Sequence, residues 1–363
     1  MRIIATGFQL LMKIFRLFVF FVPVAACLVA GTPGELSLSE AQQKLRGELA
    51  GRVQSLEKKN AAANAETDGW LYLTGELRFL SLGPFWGDAA TKVSRSHKPD
   101  LADPIPAIVD FQKQLKARGI DLLVVPVPPK AAIYPEKILP EFKGSSDDAA
   151  PVLHAFYAEL RASGIDVLDL APLFLKNRDD KRGAVFCKTD SHWSGFGCML
   201  AAQAIAETVR GKLAASSTRK EYVSDWKEIR INGDLVSLLP PGSPKIGPEE
   251  IAVRSVTEKG TASAVQPDPN SPLLLLGDSH TLVFHDFLGE RAGLVDQLAQ
   301  ELGFAPDLIG TRGSGATPVR ISLYRHNLKN PDYLAKKKVV VWCFAAREFT
   351  EATEGWAKIP VAK

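Results

Sequence analysis

The chain has 363 residues, 46% of them hydrophobic and 23% charged, with a formal net charge of +3. That apolar content suffices for one large domain or two modest ones. The positive excess belongs to the start: residues 1–30 carry Arg2, Lys13 and Arg16 and no acid, and the remainder balances 41 basic against 41 acidic residues. A neutral body argues against nucleic acid as the partner.

Basic residues, an apolar run from Leu17 to Ala30 and small residues at its end make the three parts of an export signal. The run contains Pro23 and is short for a membrane span. Cleavage after Ala30 predicts a mature start near Gly31. Two alternatives are an uncleaved anchor to the inner membrane and lipidation of Cys27 in the stretch Val24-Ala25-Ala26-Cys27. All three place the body outside the cytoplasm, in the periplasm. Cysteine usage is compatible with that compartment. Cys187 and Cys198 lie close enough in sequence to bridge, and the competing reading leaves them, with Cys343, as buried free thiols. No cysteine spacing suits a structural zinc site.

Residues 31–65 read as a helical lead-in, because Ser37 to Thr67 is polar and alanine-rich with no strand signal. Residues 66–363 read as one domain. Asp68-Gly69 makes a turn before a short alternating strand to Leu73, and Phe79 to Asp100 is loop-like. Two helix–strand units follow. Pro104 to Arg118 has apolar residues at helical spacing, and Leu122 to Val127 is a buried strand ending in the loop Pro128-Pro129-Lys130. Pro151 to Ser163 and Ile165 to Leu170 repeat the pattern. Helices alternating with apolar strands predict a parallel sheet covered on both faces.

Two stretches carry candidate chemistry. The first is Lys188-Thr189-Asp190-Ser191-His192-Trp193-Ser194-Gly195, which enters a helix running from Phe196 to Val209 with Ser194 at its N-cap. One residue separates Asp190 from His192, so in an extended loop the carboxylate can hold the imidazole by Nδ1–H and leave Nε2 free as a base. The alternative is an ordinary capping loop, with Trp193 in the core. The second is Leu273-Leu-Leu-Leu-Gly277-Asp278-Ser279-His280, a doubly buried strand that stops at a glycine. It would deliver Ser279 to the carboxyl edge of the sheet, where open α/β sheets hold their chemistry. Its alternative is that Asp278 and Ser279 merely cap the next helix.

Glu221 to Pro248 reads as a polar connector containing the turn Asn232-Gly233-Asp234-Leu235. Phe287 to Leu302 is expected to be helical, Asp307 to Gly310 a strand, and Lys336 to Phe344 a last buried strand ending in Arg347-Glu348. The glycine-rich loop Thr311-Arg312-Gly313-Ser314-Gly315 lacks the spacing of a P-loop or a dinucleotide fingerprint.

Several stretches together resemble one family, the SGNH-hydrolase-like polysaccharide O-acetyltransferases of the alginate type (AlgJ/AlgX-like). They are Asp68-Gly-Trp-Leu-Tyr-Leu with Gly75-Glu-Leu, Arg118 to Lys130 with Tyr134-Pro-Glu, Thr189-Asp-Ser-His-Trp, Gly233-Asp-Leu, Leu276-Gly-Asp-Ser, and Val341-Trp-Cys-Phe-Ala-Ala-Arg. In order they cover most of residues 66–350, with Asp-x-His before the serine. The resemblance implies a three-layer α/β/α sandwich around a mostly parallel sheet. It also implies a periplasmic enzyme that moves acetyl groups onto a secreted polysaccharide without a cofactor. By position, Ser279 matches the nucleophile, His192 the base and Asp190 the orienting acid. Arg312 falls near the family's arginine at the oxyanion site, with Gly313 beside it. Implied partners are the exopolysaccharide, a membrane-bound O-acyltransferase as acetyl supplier and other polysaccharide-secretion proteins.

The chemistry asks for these parts independently. A serine hydroxyl needs a base within hydrogen-bond reach. His280 adjoins Ser279 on a tight turn, where neighbouring side chains diverge, and His285 has no acid at Asp-x-His spacing although Asp286 adjoins it, whereas His192 has Asp190 in that relation. A carbohydrate acetylesterase would use the same residues with water as acceptor, and a non-catalytic glycan-binding subunit would keep only the fold.

Overall fold

The computed structural model describes residues 37–142, 148–213 and 219–363. The export signal, the lipidation and anchoring alternatives and the start near Gly31 all lie outside the described residues. Among the described residues, no helix is long and apolar enough to cross a membrane.

Nine strands are described: β1 Ala63–Ala65, β2 Leu71–Leu73, β3 Asp121–Val127, β4 Asp166–Val167, β5 Tyr222–Ile231, β6 Glu249–Glu258, β7 Leu273–Gly277, β8 Asp307–Gly310 and β9 Val339–Ala345. Five make a sheet in the order β4-β3-β9-β7-β8, and every pair in it is parallel. Its side chains alternate between two packed layers. Leu123, Val125, Leu273, Leu275, Val339 and Val341 join the helices Gly195–Val209 and Leu294–Leu302 in one core cluster. Leu122, Val124, Leu274, Leu276, Val340 and Trp342 face the helices Ile105–Lys116, Pro151–Ala162 and Thr317–Lys329 in the other. The unbroken aliphatic runs follow, since a strand buried on both faces has no polar side to show. Leu273 to Leu276 are all 0% exposed. Truncating Leu275 to alanine would cost about 2–5 kcal/mol.

Because the five strands are parallel, their carboxyl ends share one edge. There β3 leads to Lys130, β7 to Ser279, β8 to the loop 311–315 and β9 to Arg347. Chain connections converge at this edge and build the site.

The structure departs from the sequence expectations at several places. The stretch 221–248 is no mere connector: β5 runs ten residues and pairs antiparallel with β6, from Tyr222 opposite Glu258 to Ile231 opposite Glu249. Val223 to Glu228 are exposed on both faces, so backbone pairing makes this strand and leaves no hydrophobic period. Only Leu294–Leu302 of the expected helix 287–302 forms, because Leu288 and Arg291 adopt φ of 60° and 61° and Gly293 becomes its N-cap. The strand expected over 165–170 shrinks to Asp166–Val167, at the edge of the sheet. The lead-in forms the expected helix, Glu40–Lys58 with Ser39 in a capping box, but ends in the unexpected strand β1, paired with β2. The helices Thr74–Ser81 and Thr317–Lys329 were also not expected.

Candidate active site

The turn after β7 is fixed to its neighbouring strand. A Cβ at Gly277 would stand 1.9 Å from the carbonyl oxygen of Cys343, so only glycine lets β7 end this close to β9. Asp278 is fully buried, and its Oδ2 accepts the Ala345 N–H at 2.7 Å while Oδ1 accepts the His280 N–H at 2.9 Å. Burial opposes its charge, but the adjoining His280 ring outweighs that and lowers the carboxyl below its usual range. Ser279 follows, half-buried, at the start of a single 3₁₀ turn, Ser279–Thr281.

The loop before the helix Gly195–Val209 is held from several sides. Glu249, at the start of β6, accepts the N–H groups of Lys188 and Thr189 at 2.8 Å each, and the Thr189 hydroxyl at 2.8 Å. Gly233 abuts the Thr189 carbonyl so closely that a Cβ there would come within 2.1 Å of its oxygen. This approach delivers Asp234, whose N–H donates to Asp190 Oδ2 at 2.9 Å. The Asp234 carboxylate accepts the Ser191 N–H at 2.7 Å and its hydroxyl at 2.6 Å.

Asp190 Oδ1 then faces His192, 2.6 Å from Nδ1 and 3.0 Å from the backbone N–H. Burial works against a charge on Asp190, yet the hydrogen bonds from His192 and Asp234 hold its carboxyl down at about 2. On the far side of the ring, His192 Nε2 lies 2.8 Å from Ser279 Oγ. Phe287 packs edge-on against the imidazole, with ring centroids 5.6 Å apart.

The structure therefore brings together Ser279, His192 and Asp190. His280 points away from Ser279, with Nδ1 3.2 Å from Asp278 Oδ1, and burial lowers its pKa. His285 pairs with Asp296 at 2.9 Å, in irregular chain rather than in a helix. Arg312 is exposed and lies 4.5 Å over the Phe287 ring, one side chain removed from His192. Gly313, with φ of 102°, belongs to a loop tied to the nucleophile turn by the Thr311 N–H bond to the Gly277 carbonyl at 3.0 Å.

Asp234, Glu249 and Phe287 were missed from sequence. Gly233-Asp-Leu was visible as a turn, but nothing in the chain placed it against Asp190. The possible Cys187–Cys198 bridge is corrected: both are buried free thiols, as is Cys343. The Cys187 thiol instead contacts the Trp193 carbonyl at 3.5 Å. Asp190, His192 and Asp234 could offer three ligand atoms to a cation within 4.8 Å of one another. Those atoms are already engaged, Asp190 with the imidazole and Asp234 with Ser191.

A family model described as "SGNH hydrolase-like domain, acetyltransferase AlgX" matches residues 65–346. The chain belongs to this family. Among curated relatives, the probable alginate O-acetylase AlgJ of Pseudomonas aeruginosa is 31% identical over 174 residues, or 48% of this chain and 40% of that protein. The protein of the same description from Pseudomonas fluorescens is 29% identical over 266 residues, covering 69% of this chain and 64% of that one. The chain thus spans less than two thirds of the length of either relative. The solved O-acetyltransferase domain of Pseudomonas putida AlgJ superposes with a TM-score of 0.59 at 22% identity, covering 80% of this chain and 92% of that domain. The expected SGNH-hydrolase-like fold, with helices flanking a parallel sheet, is therefore the fold of this chain.

Proposed function

We propose that the chain is a periplasmic O-acetyltransferase that acetylates hydroxyls of a secreted, alginate-like exopolysaccharide through an acetyl-serine intermediate. One observation supports this most: His192 spans Asp190 and Ser279 with hydrogen-bond contacts of 2.6 Å and 2.8 Å. Family membership and the alginate O-acetylase descriptions of the relatives supply the substrate class.

In the first half-reaction Ser279 Oγ attacks the carbonyl carbon of an acetyl donor while its proton passes to His192 Nε2. The donor's leaving oxygen departs with that proton. Asp190, its carboxyl held low, accepts the Nδ1–H, holds the ring and stabilises the imidazolium. The Ser279 N–H and donors of the loop around Gly313 are assigned to the oxyanion, with Arg312 beside them. In the second half, His192 takes the proton of a sugar hydroxyl, whose oxygen attacks the acetyl carbonyl. The ester forms on the sugar, and Ser279 regains its proton. In this reading the acetyl supplier is a membrane-bound O-acyltransferase, acting with other polysaccharide-secretion proteins.

The test is to incubate the purified protein with an acetyl ester, with and without an alginate oligosaccharide, and follow acetate and sugar mass. Acetylated sugar that disappears in Ser279→Ala is expected. Acetate release alone, unaffected by added sugar, would mark an esterase, and neither product would leave a non-catalytic subunit.

A further inference from the structure

Lys130 is a lysine with 0% exposure at the carboxyl end of β3, and no step above uses it. Its Nζ donates to three backbone carbonyls: Asp190 at 2.6 Å, Leu71 in β2 at 2.8 Å and Lys188 at 3.3 Å. Three acceptors match the three N–H bonds of an ammonium, whereas a neutral amine would turn its lone pair toward one of them. Leu71 is in turn bound to the same loop, its N–H donating to the Lys188 carbonyl at 2.8 Å. A buried cation is costly unless it is paired. Burial lowers the pKa of Lys130, the charge of the buried Glu76 carboxyl on the helix Thr74–Ser81 works the other way, and Nζ stands 5.6 Å from the Tyr72 ring.

The two ends of Asp190 are thus held by different groups. Asp234 and His192 bind its carboxylate, and Lys130 binds its main-chain carbonyl from beneath. His192 is two residues further along the same loop, so the Lys130 contact also fixes where the imidazole starts from.

We propose that Lys130, as an ammonium, is a positioning residue that locks the Asp190–His192 loop onto the sheet edge and so holds the imidazole within reach of Ser279. The proposal rests on the acetyl-transfer reading. A displacement of about 1 Å at a reacting pair lowers turnover about 10²-fold, which sets the size of the expected effect.

The test compares Lys130→Met, the double variant Lys130→Met/Glu76→Gln and Ser279→Ala in the acetyl-ester assay. The double variant also removes the buried Glu76 carboxyl, so that no buried acid is left without the lysine. Circular dichroism reports folding, and the far-downfield proton resonance of the His192 Nδ1–H reports the Asp190–His192 bond. The expected result is a folded variant with KM nearly unchanged, kcat lower by about 10²-fold and the downfield resonance lost or broadened. A folded variant that keeps kcat within about twofold of the parent overturns the proposal. If neither Lys130 variant folds, Lys130 is a framework residue and the proposal also falls. Turnover persisting in Ser279→Ala would instead sink the acetyl-serine reading, whatever the Lys130 variants do.

Discussion

His192 Nε2 and Ser279 Oγ lie 2.8 Å apart although 87 residues of chain separate them. Their meeting depends on two loops that leave different elements at one sheet edge. Residues that act as one unit are non-additive, so Ser279→Ala and His192→Ala should each remove nearly all acetyl-ester turnover. The double variant should be little worse than either. If His192→Ala keeps turnover while His280→Ala or His285→Ala abolishes it, the base has been misassigned.

Asp190→Asn should leave the fold intact and lower kcat by roughly 10⁴-fold, because the amide selects the wrong imidazole tautomer. It should also change acid stability. A carboxyl held at about 2 when folded, against 3.8 unfolded, contributes stability that is present above pH 3.8 and lost as pH falls through about 2. The stability gap between parent and variant should therefore close over that window in an acid titration followed by circular dichroism. A gap that stays constant from pH 5 to pH 2 would contradict the assignment.

Asp234→Ala takes both carboxylate contacts away from Ser191 and loosens the turn whose N–H holds Asp190. Turnover should drop about tenfold with KM little changed. Gly233→Ala should be more damaging, since its methyl meets the Thr189 carbonyl and must push the Asp190 loop aside. Equal activity in Gly233→Ala and the parent would show that this approach is not needed.

Glu348, beside the glycine-rich loop, titrates at about 7 chiefly because it is buried, in spite of Arg347 nearby and the Ser314 hydroxyl donating to it at 2.5 Å. With a folded pKa above the unfolded 4.5, the unfolded chain releases its proton first, so stability falls as pH rises from 4.5 to about 7. Glu348→Gln should raise the melting temperature at pH 8 and change little at pH 4. Scanning calorimetry at the two values decides it, and a variant less stable at pH 8 would count against the buried-carboxyl account.

The buried thiols of Cys187, Cys198 and Cys343, each pushed up by desolvation, should resist alkylation until the protein is unfolded. Mass mapping without reduction should show no Cys187–Cys198 peptide pair. Finding that pair would require the loop and the helix behind it to move.

The runs Leu122 to Val127, Leu273 to Leu276 and Val339 to Phe344 declare a parallel sheet by themselves, because a strand buried on both faces must be apolar throughout. Asp190-x-His192 and Gly277-x-Ser279 were also legible, because a spacing of one residue and a strand-ending glycine are local facts. Strand β5 was not, since a two-stranded ribbon exposed on both faces is made by backbone pairing that leaves no period in the side chains. Nor could the chain show that Lys130, Asp234 and Glu249 serve the same loop. Lys130 reaches Asp190 across 60 residues, and Asp234 reaches it across 44. Such partners are chosen by where the sheet edge and the ribbon bring their backbones, and that placement exists only once the chain has folded.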